Sequence, residues 1–237
     1  DKPLPALSHI MTPEENPALG WRGIRLHLSH PELLRVQVRA LLRAAGATHT
    51  PLHIMFPMIA TLEELRQARA IVLAAHQALR AAGQRVPEHV PIGIMVETPA
   101  ATWMADALAR EADFLSIGTN DLTQYLMASD RLNAKVAALA DPLQPAVLRA
   151  ITRVARAGQI AGRPVAVCGE MAGNPLLGAL LVGLGIVELS MTPALIPAMK
   201  ATLAEVSYAA LRRWADRALA LTTLDETRAL IAAGLPK

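Results

Sequence analysis

Short apolar runs alternate with longer amphipathic segments along most of the chain. The runs show little alternation between apolar and polar residues, which is typical of parallel strands buried on both faces. They predict five strands, at Leu52–Met58, Ile92–Glu97, Phe114–Ile117, Val165–Cys168 and Val187–Ser190. The amphipathic segments predict helices at Pro31–Ala45, Leu62–Ala82, Pro99–Arg110, Pro145–Ala161 and Pro175–Leu184. Three further helices are predicted after the last strand, at Ala194–Val206, Tyr208–Ala220 and Leu224–Ala233.

Repeated β–α units predict an α/β fold built on a parallel sheet. Polar residues follow the strands at their carboxyl ends, where a (β/α)₈ TIM barrel and an open doubly wound sheet both place their sites. The chain has no glycine-rich dinucleotide motif and no P-loop, which favours the barrel. A closed barrel needs eight strands, and only five are found. We therefore predict a partial barrel of the (β/α)₈ type, with the first three β/α units missing.

Length and composition limit the classes of protein to which this chain could belong. The length of 237 residues suits one domain or two small ones, and 53% hydrophobic residues suffice for a large core. We predict a single barrel domain over 1–237. The net charge is +3, but the arginines are spread along helices without interleaved aromatic residues, which argues against nucleic-acid binding. The single cysteine, Cys168, excludes an intrachain disulfide and favours a cytoplasmic setting. No apolar run has the length of a membrane span, so we expect no membrane insertion.

Four stretches carry the residue types of a catalytic site. They are NPALGWRGIR (Asn16–Arg25), GIMVETPAA (Gly93–Ala101), SIGTNDLTQY (Ser116–Tyr125) followed by SDRLN, and AVCGEMAG (Ala166–Gly173). Each has an ordinary structural interpretation: Glu97, Asn120 and Asp121 could cap helices, and Cys168 could serve as a small hydrophobic residue. Their common position at one end of the predicted sheet favours a shared site.

These stretches, in this order and at this spacing, closely resemble the C-terminal phosphoenolpyruvate-binding domain of enzyme I of the bacterial sugar phosphotransferase system. They resemble more distantly the barrel of pyruvate phosphate dikinase and phosphoenolpyruvate synthase. The similarity covers essentially the whole chain. ENPALGWR followed by IMFPM (Ile54–Met58) favours enzyme I over the dikinase.

The resemblance implies a role for each matching residue. The two magnesium-binding carboxylates of the family fall on Glu97 and Asp121, and its substrate-contacting asparagine falls on Asn120. The arginines that hold the phosphate and the carboxylate of phosphoenolpyruvate fall on Arg22 and Arg131. Mg²⁺ commonly takes one or two protein carboxylates beside substrate oxygens, and planar guanidinium groups suit phosphate. The implied cofactor is therefore Mg²⁺.

The essential cysteine of the family falls on Cys168. When the phosphoryl group leaves phosphoenolpyruvate, the pyruvate enolate that remains must be protonated at C3. A thiol beside a polarising site can act as that general acid. Cys168 is the only thiol in the chain, so the role has one candidate.

The sequence departs from the family in two respects. Two family arginines, one in a YRTEF-like stretch and one in an RT(M/L)DIGG-like stretch, have no counterpart here, and the chain starts at DKPLP. Those stretches would hold the three missing strands, so we expect an N-terminally truncated fragment that is inactive alone and binds phosphoenolpyruvate poorly. The family's phosphoacceptor histidine lies in a separate domain. None of the seven histidines here matches its motif, and we interpret them as surface or loop residues.

The resemblance also implies partners. The phosphoryl group would pass from phosphoenolpyruvate to a histidine domain of the same protein, leaving pyruvate, and then to the phosphocarrier protein HPr for sugar uptake. Enzyme I-like domains form homodimers. Three alternatives remain: a dikinase or synthase barrel, a non-catalytic dimerisation fragment, and a metal-dependent aldolase or lyase, which has no evident need for Cys168.

Overall fold

The computed structural model describes residues 13–236. The strands are β1 (Ile54–Phe56), β2 (Ile92–Val96), β3 (Leu115–Gly118), β4 (Val165–Cys168) and β5 (Glu188–Leu189). The helices up to the last strand are α1 (Ile24–Ser29), α2 (Pro31–Thr48), α3 (Leu62–Ala81), α4 (Pro99–Trp103), α5 (Ala105–Glu111), α6 (Thr119–Leu126), α7 (Pro145–Ala161), α8 (Glu170–Gly173) and α9 (Pro175–Gly183). The remaining helices are α10 (Ile196–Ala204), α11 (Tyr208–Ala220) and α12 (Leu224–Ala232), with 3₁₀ turns at Ala137–Leu139 and Pro193–Leu195.

The strands form one parallel sheet in the order β1-β2-β3-β4-β5. Within residues 13–236, β1 and β5 are therefore the two edges of the sheet. The register places Gly118, the last residue of β3, opposite Cys168, the last residue of β4. Because all strands run in one direction, their carboxyl ends meet at one edge of the fold, as the strand pattern predicted.

The inner strands are buried on both faces, because helices cover the sheet. All four residues of β3 are buried, and four of the five in β2 are buried. Helices supply matching apolar stripes; in α2 the buried positions Leu34, Val38 and Leu42 repeat every four residues. Among the described residues, every helix is too short or too polar to cross a bilayer.

One predicted helix, Pro99–Arg110, is instead two helices, α4 and α5, with a break at Met104. The cause is Arg153 of α7, whose guanidinium group donates to the carbonyl of Thr102 at 3.1 Å and to that of Trp103 at 2.8 Å. The Ala107 amide bonds to the carbonyl of Met104 instead, three residues back. A side chain that inserts into the helical hydrogen-bond ladder produces such a break.

Candidate functional site

Predicted site residues lie at the carboxyl ends of β2, β3 and β4 or within three residues after them. After β2, the Thr98 hydroxyl caps α4 by accepting a hydrogen bond from the Ala101 amide at 3.1 Å. The cap is therefore Thr98, and the interpretation of Glu97 as the capping residue is wrong. Asn120 and Asp121 lie inside the first turn of α6 and do not precede it.

The Glu97 carboxyl group is almost completely buried, with 3% of the residue exposed. Its Oε1 accepts a hydrogen bond of 2.7 Å from the backbone amide of Met58. The absence of a side chain at Gly118 makes room for it, because a Cβ atom there would lie 2.8 Å from Oε2 of Glu97. Burial raises the pKa of Glu97 to about 7, the Met58 amide opposes this rise, and the charge of Asp121 adds to it.

Asp121 is the centre of a charged group at the same edge of the sheet. Its Oδ2 lies 3.3 Å from Nη2 of Arg22, and its Oδ1 lies 3.0 Å from Nη1 of Arg131. Both arginines also lower the pKa of Glu97 through their charge, so they face both carboxylates. Four of the residues predicted for the site are thus brought together. We call Arg22 and Arg131 the arginine pair.

Two residues that the sequence did not single out contact the arginine pair. The Tyr125 hydroxyl accepts a hydrogen bond from Nη1 of Arg22 at 3.3 Å and donates to the carbonyl of Ala18. Burial raises the pKa of Tyr125 above its ordinary value. The Oε1 of Gln124 accepts from the backbone amide of Arg131 at 3.0 Å. Their spacing from Asp121, three and four residues along α6, is the signal that could have identified them.

Cys168 lies at the end of β4, partly exposed. Its Sγ accepts a hydrogen bond of 3.4 Å from the Ser116 hydroxyl, and its own S–H points to the carbonyl of Ile117 at 3.5 Å. Ser116, buried on the neighbouring strand, is a further residue that the sequence analysis missed. The thiol is therefore held by two polar contacts, which a purely hydrophobic cysteine would not need.

Asn120 is exposed, and its Oδ1 accepts from the amide of Glu170 at 3.4 Å. Between Cys168 and Glu170 lies Gly169, with a φ of +109° that L side chains rarely adopt. A Cβ atom at Gly169 would lie 2.5 Å from the hydroxyl of Thr119 and 3.2 Å from Oδ1 of Asn120. The turn after β4 therefore packs against the start of α6 only because a glycine is present.

Two cavities open at this edge of the sheet. The larger, about 530 Å³, is lined by residues that include Ala18, Met58, Gln124 and Tyr125. The smaller, about 420 Å³, is lined by residues that include Asn120, Arg131 and Glu170. Within the described part of the chain, Cys168 is not among the residues that line either cavity.

The described residues contain no cluster of three or more His, Cys, Asp or Glu side chains that could hold a metal ion. Glu97 and Asp121 are only two such side chains, so they do not form a cluster of that size. The six histidines within residues 13–236 are exposed or partly exposed, and none lines the two cavities. His9, the seventh, lies outside the described residues.

Comparison with known proteins gives one consistent result. The family model for the PEP-binding domain of PEP-utilising enzymes matches residues 1–208. The chain is 47% identical to the phosphoenolpyruvate-protein phosphotransferase of Bacillus sp. (strain S), over 95% of this chain and 38% of that protein. It is 51% identical to the multiphosphoryl transfer protein of Xanthomonas campestris pv. campestris, over 94% of this chain and 26% of that protein. The chain thus spans about two fifths or less of these relatives.

A crystal structure of a citrate lyase from Burkholderia xenovorans LB400 matches with a TM-score of 0.54. The match covers 84% of this chain and 66% of that chain at 22% identity, so it shows the fold alone. Together with the five parallel strands, it confirms the predicted α/β fold of the TIM-barrel type.

Proposed function

Because the chain belongs to the family of PEP-utilising enzymes, through their PEP-binding domain, we propose that it is the phosphoryl-donor domain of a phosphoenolpyruvate-protein phosphotransferase. The observation that carries the proposal is the convergence of Arg22 and Arg131 on Asp121, beside the buried carboxyl group of Glu97. Two fixed positive charges and two carboxylates at one point suit a small, highly charged substrate together with a divalent cation.

The arginine pair would hold the two anionic ends of phosphoenolpyruvate, its phosphate and its carboxylate. Guanidinium groups stay charged at any physiological pH and present paired N–H donors that match both oxyanions. Asp121 pairs with both arginines and offsets one of their two positive charges. Substrate oxygens would replace Asp121 as the partner of the arginines, which would leave that carboxylate available for a cation.

Glu97 and Asp121 would hold Mg²⁺, and the residues present fit that ion. Both offer carboxylate oxygens, the ligands that Mg²⁺ prefers, and Gly118 leaves the space that Glu97 occupies. When bound, Mg²⁺ would neutralise the charge that develops on the substrate oxygens. Burial is the main reason that the pKa of Glu97 is raised, and the nearby charge of Asp121 adds to the rise; a bound cation would favour the ionised form of both carboxylates.

Cys168 would protonate the enolate, and Asn120 would contact the substrate. As the phosphoryl group moves to the acceptor, the P–O bond to the enol oxygen breaks and its electrons form the pyruvate enolate. Cys168 would donate its S–H proton to C3 of the enolate, which yields pyruvate and a thiolate. The hydroxyl of Ser116, which already donates to Sγ, would stabilise that thiolate. Asn120 would contribute an amide to the substrate, because it lines the smaller cavity together with Arg131.

The phosphoacceptor would be a histidine on another domain of a longer protein. None of the six described histidines lines the cavities beside the arginine pair. The acceptor domain would pass the phosphoryl group to the phosphocarrier protein HPr in the cytoplasm, and the donor domain would act as a homodimer. The names of the relatives support phosphoryl transfer from phosphoenolpyruvate to a protein.

Titration calorimetry of the full-length protein with phosphoenolpyruvate and Mg²⁺ tests the proposal. Arg131→Ala should weaken binding by about 1.5–3 kcal/mol, roughly ten- to a hundredfold, because a charge-assisted contact is lost. Arg213→Ala, at an exposed position of α11, is the matched control and should leave the affinity unchanged. Unchanged binding by Arg131→Ala would remove that residue from the substrate site.

A further inference from the structure

Two consecutive residues of α6, Gln124 and Tyr125, each contact one member of the arginine pair. We propose that they are positioning residues, which fix the arginines in the geometry that receives phosphoenolpyruvate without touching the substrate themselves. This inference rests on the proposed function, in which Arg22 and Arg131 bind that substrate.

The Tyr125 hydroxyl contacts both the Arg22 side chain and the backbone of the segment that carries Arg22. The hydroxyl accepts from Nη1 of Arg22 and donates to the carbonyl of Ala18, four residues earlier in the same segment. The guanidinium fork of Arg22 therefore spans Asp121 and Tyr125, with 3.3 Å to each. A free arginine side chain loses up to about 2 kcal/mol of rotamer entropy when it is immobilised. Fixing Arg22 before the substrate arrives removes much of that loss from the binding step.

Gln124 fixes Arg131 through the backbone. Only 4% of Gln124 is exposed, and its Oε1 accepts from the Arg131 amide at 3.0 Å. Just after α6 ends, Ala128 adopts a φ of +49°, which is unusual for a residue with a side chain. The backbone turns there, and the loop that follows brings the Arg131 amide to Gln124. The Ser129 hydroxyl secures the returning loop by donating to the carbonyl of Val136 at 2.6 Å. This arrangement sets the backbone position from which the guanidinium group of Arg131 reaches Asp121.

The chemical types of these residues suit positioning. Asp121, Gln124 and Tyr125 follow at i, i+3 and i+4, so they lie on one face of α6. Leu122 of the same helix is fully buried and anchors that helix in the core. Asp121 offsets one of the two positive charges of the arginine pair, whereas Gln124 and Tyr125 are uncharged. A second carboxylate would compete with the anionic substrate for the guanidinium groups; a hydroxyl and an amide hold the arginines without that competition.

The test uses the full-length protein and two isosteric changes, Tyr125→Phe and Gln124→Met. Tyr125→Phe removes the hydroxyl group, Gln124→Met removes the amide oxygen and nitrogen, and both changes keep most of the bulk of the side chain. We expect each to raise the KM for phosphoenolpyruvate and the calorimetric Kd roughly three- to tenfold, with kcat changed less than about twofold, because a contact that orients a binding group is lost, to the Arg22 guanidinium group in one case and to the Arg131 amide in the other. The matched controls are Tyr208→Phe, at a tyrosine that is 58% exposed on α11, and Gln159→Met, at an exposed position of α7. Both controls should leave KM and kcat unchanged.

A double-mutant cycle separates positioning from packing. In an Arg22→Ala background, Tyr125→Phe should have no further effect on Kd, because the residue through which it acts is gone. Gln124→Met should likewise have no further effect in an Arg131→Ala background. Additive effects in these backgrounds, or a loss confined to kcat, would overturn the inference. If Arg22→Ala and Arg131→Ala themselves leave Kd unchanged, the proposed function fails instead, so the two failures can be told apart.

Discussion

Glu97 should make the stability of the ligand-free protein depend on pH. Its carboxyl group has a pKa of about 7 in the folded protein against an ordinary value of 4.5. Between these two values the folded state keeps a proton that the unfolded state has lost, so the free energy of unfolding falls as pH rises. Each pH unit of this gap is worth about 1.4 kcal/mol, which gives a total loss of about 3 kcal/mol above pH 7.

The assay compares urea unfolding of the wild-type protein and Glu97→Gln at about pH 5 and about pH 8. Glutamine keeps the shape of the side chain and cannot ionise. Relative to the variant, the wild-type protein should lose about 2.5 kcal/mol of stability between the two pH values, because all other titrating groups cancel in the difference. Glu205→Gln, at an exposed position after α10, serves as control and should follow the wild-type protein at both pH values.

A constant difference between wild type and Glu97→Gln, within about 0.5 kcal/mol, would refute the reasoning, since it would mean that the carboxyl group has the same pKa in both states. A difference that grows in the opposite direction would mean that Asp121 and the burial of Glu97 are outweighed by Arg22, Arg131 and the Met58 amide, the groups that lower its pKa.

Three further outcomes are expected. Gly118→Ala should weaken Mg²⁺-dependent phosphoenolpyruvate binding at least about tenfold in calorimetry, because the new methyl group would lie 2.8 Å from Oε2 of Glu97; unchanged affinity would show that the carboxyl group need not lie there. Cys168→Ala in the full-length protein should abolish turnover to pyruvate and preserve phosphoenolpyruvate binding, and a variant with near-normal turnover would remove Cys168 from the mechanism. The protein should be a homodimer, since β1 and β5 leave sheet edges that recruit partners; a clean monomer by light scattering at micromolar concentration would contradict this.

The parts of the fold that depend on local pattern could be predicted from the sequence. Buried parallel strands require continuous apolar runs, so β2 and β4 were located to within one residue. Because parallel strands end at one edge, the sequence also predicted that Glu97 and Cys168 would lie at the same end of the sheet. The resemblance to enzyme I, and not the pattern, assigned each residue a role.

Contacts between distant side chains could not be predicted in this way. The break at Met104 depends on Arg153, which lies two helices later and takes the carbonyls of Thr102 and Trp103. The apolar spacing of Pro99–Arg110 gives no information about a contact with Arg153, so it predicted one continuous helix. For the same reason Ser116 was overlooked: its function depends on a thiol that lies on the neighbouring strand.

The sequential strand order has a consequence for how the site withstands local opening. Glu97, Asn120, Asp121 and Cys168 lie at the carboxyl ends of the inner strands β2, β3 and β4, and neither edge strand carries one of them. The two edge strands nevertheless differ in their importance for the site. Fraying of the short strand β5 would leave the contacts of Glu97 and Asp121 intact, whereas fraying beyond β1 would detach the Met58 amide from Glu97. The integrity of the proposed cation site therefore depends on the β1 edge, and whatever covers that edge in a longer protein would protect the site as well.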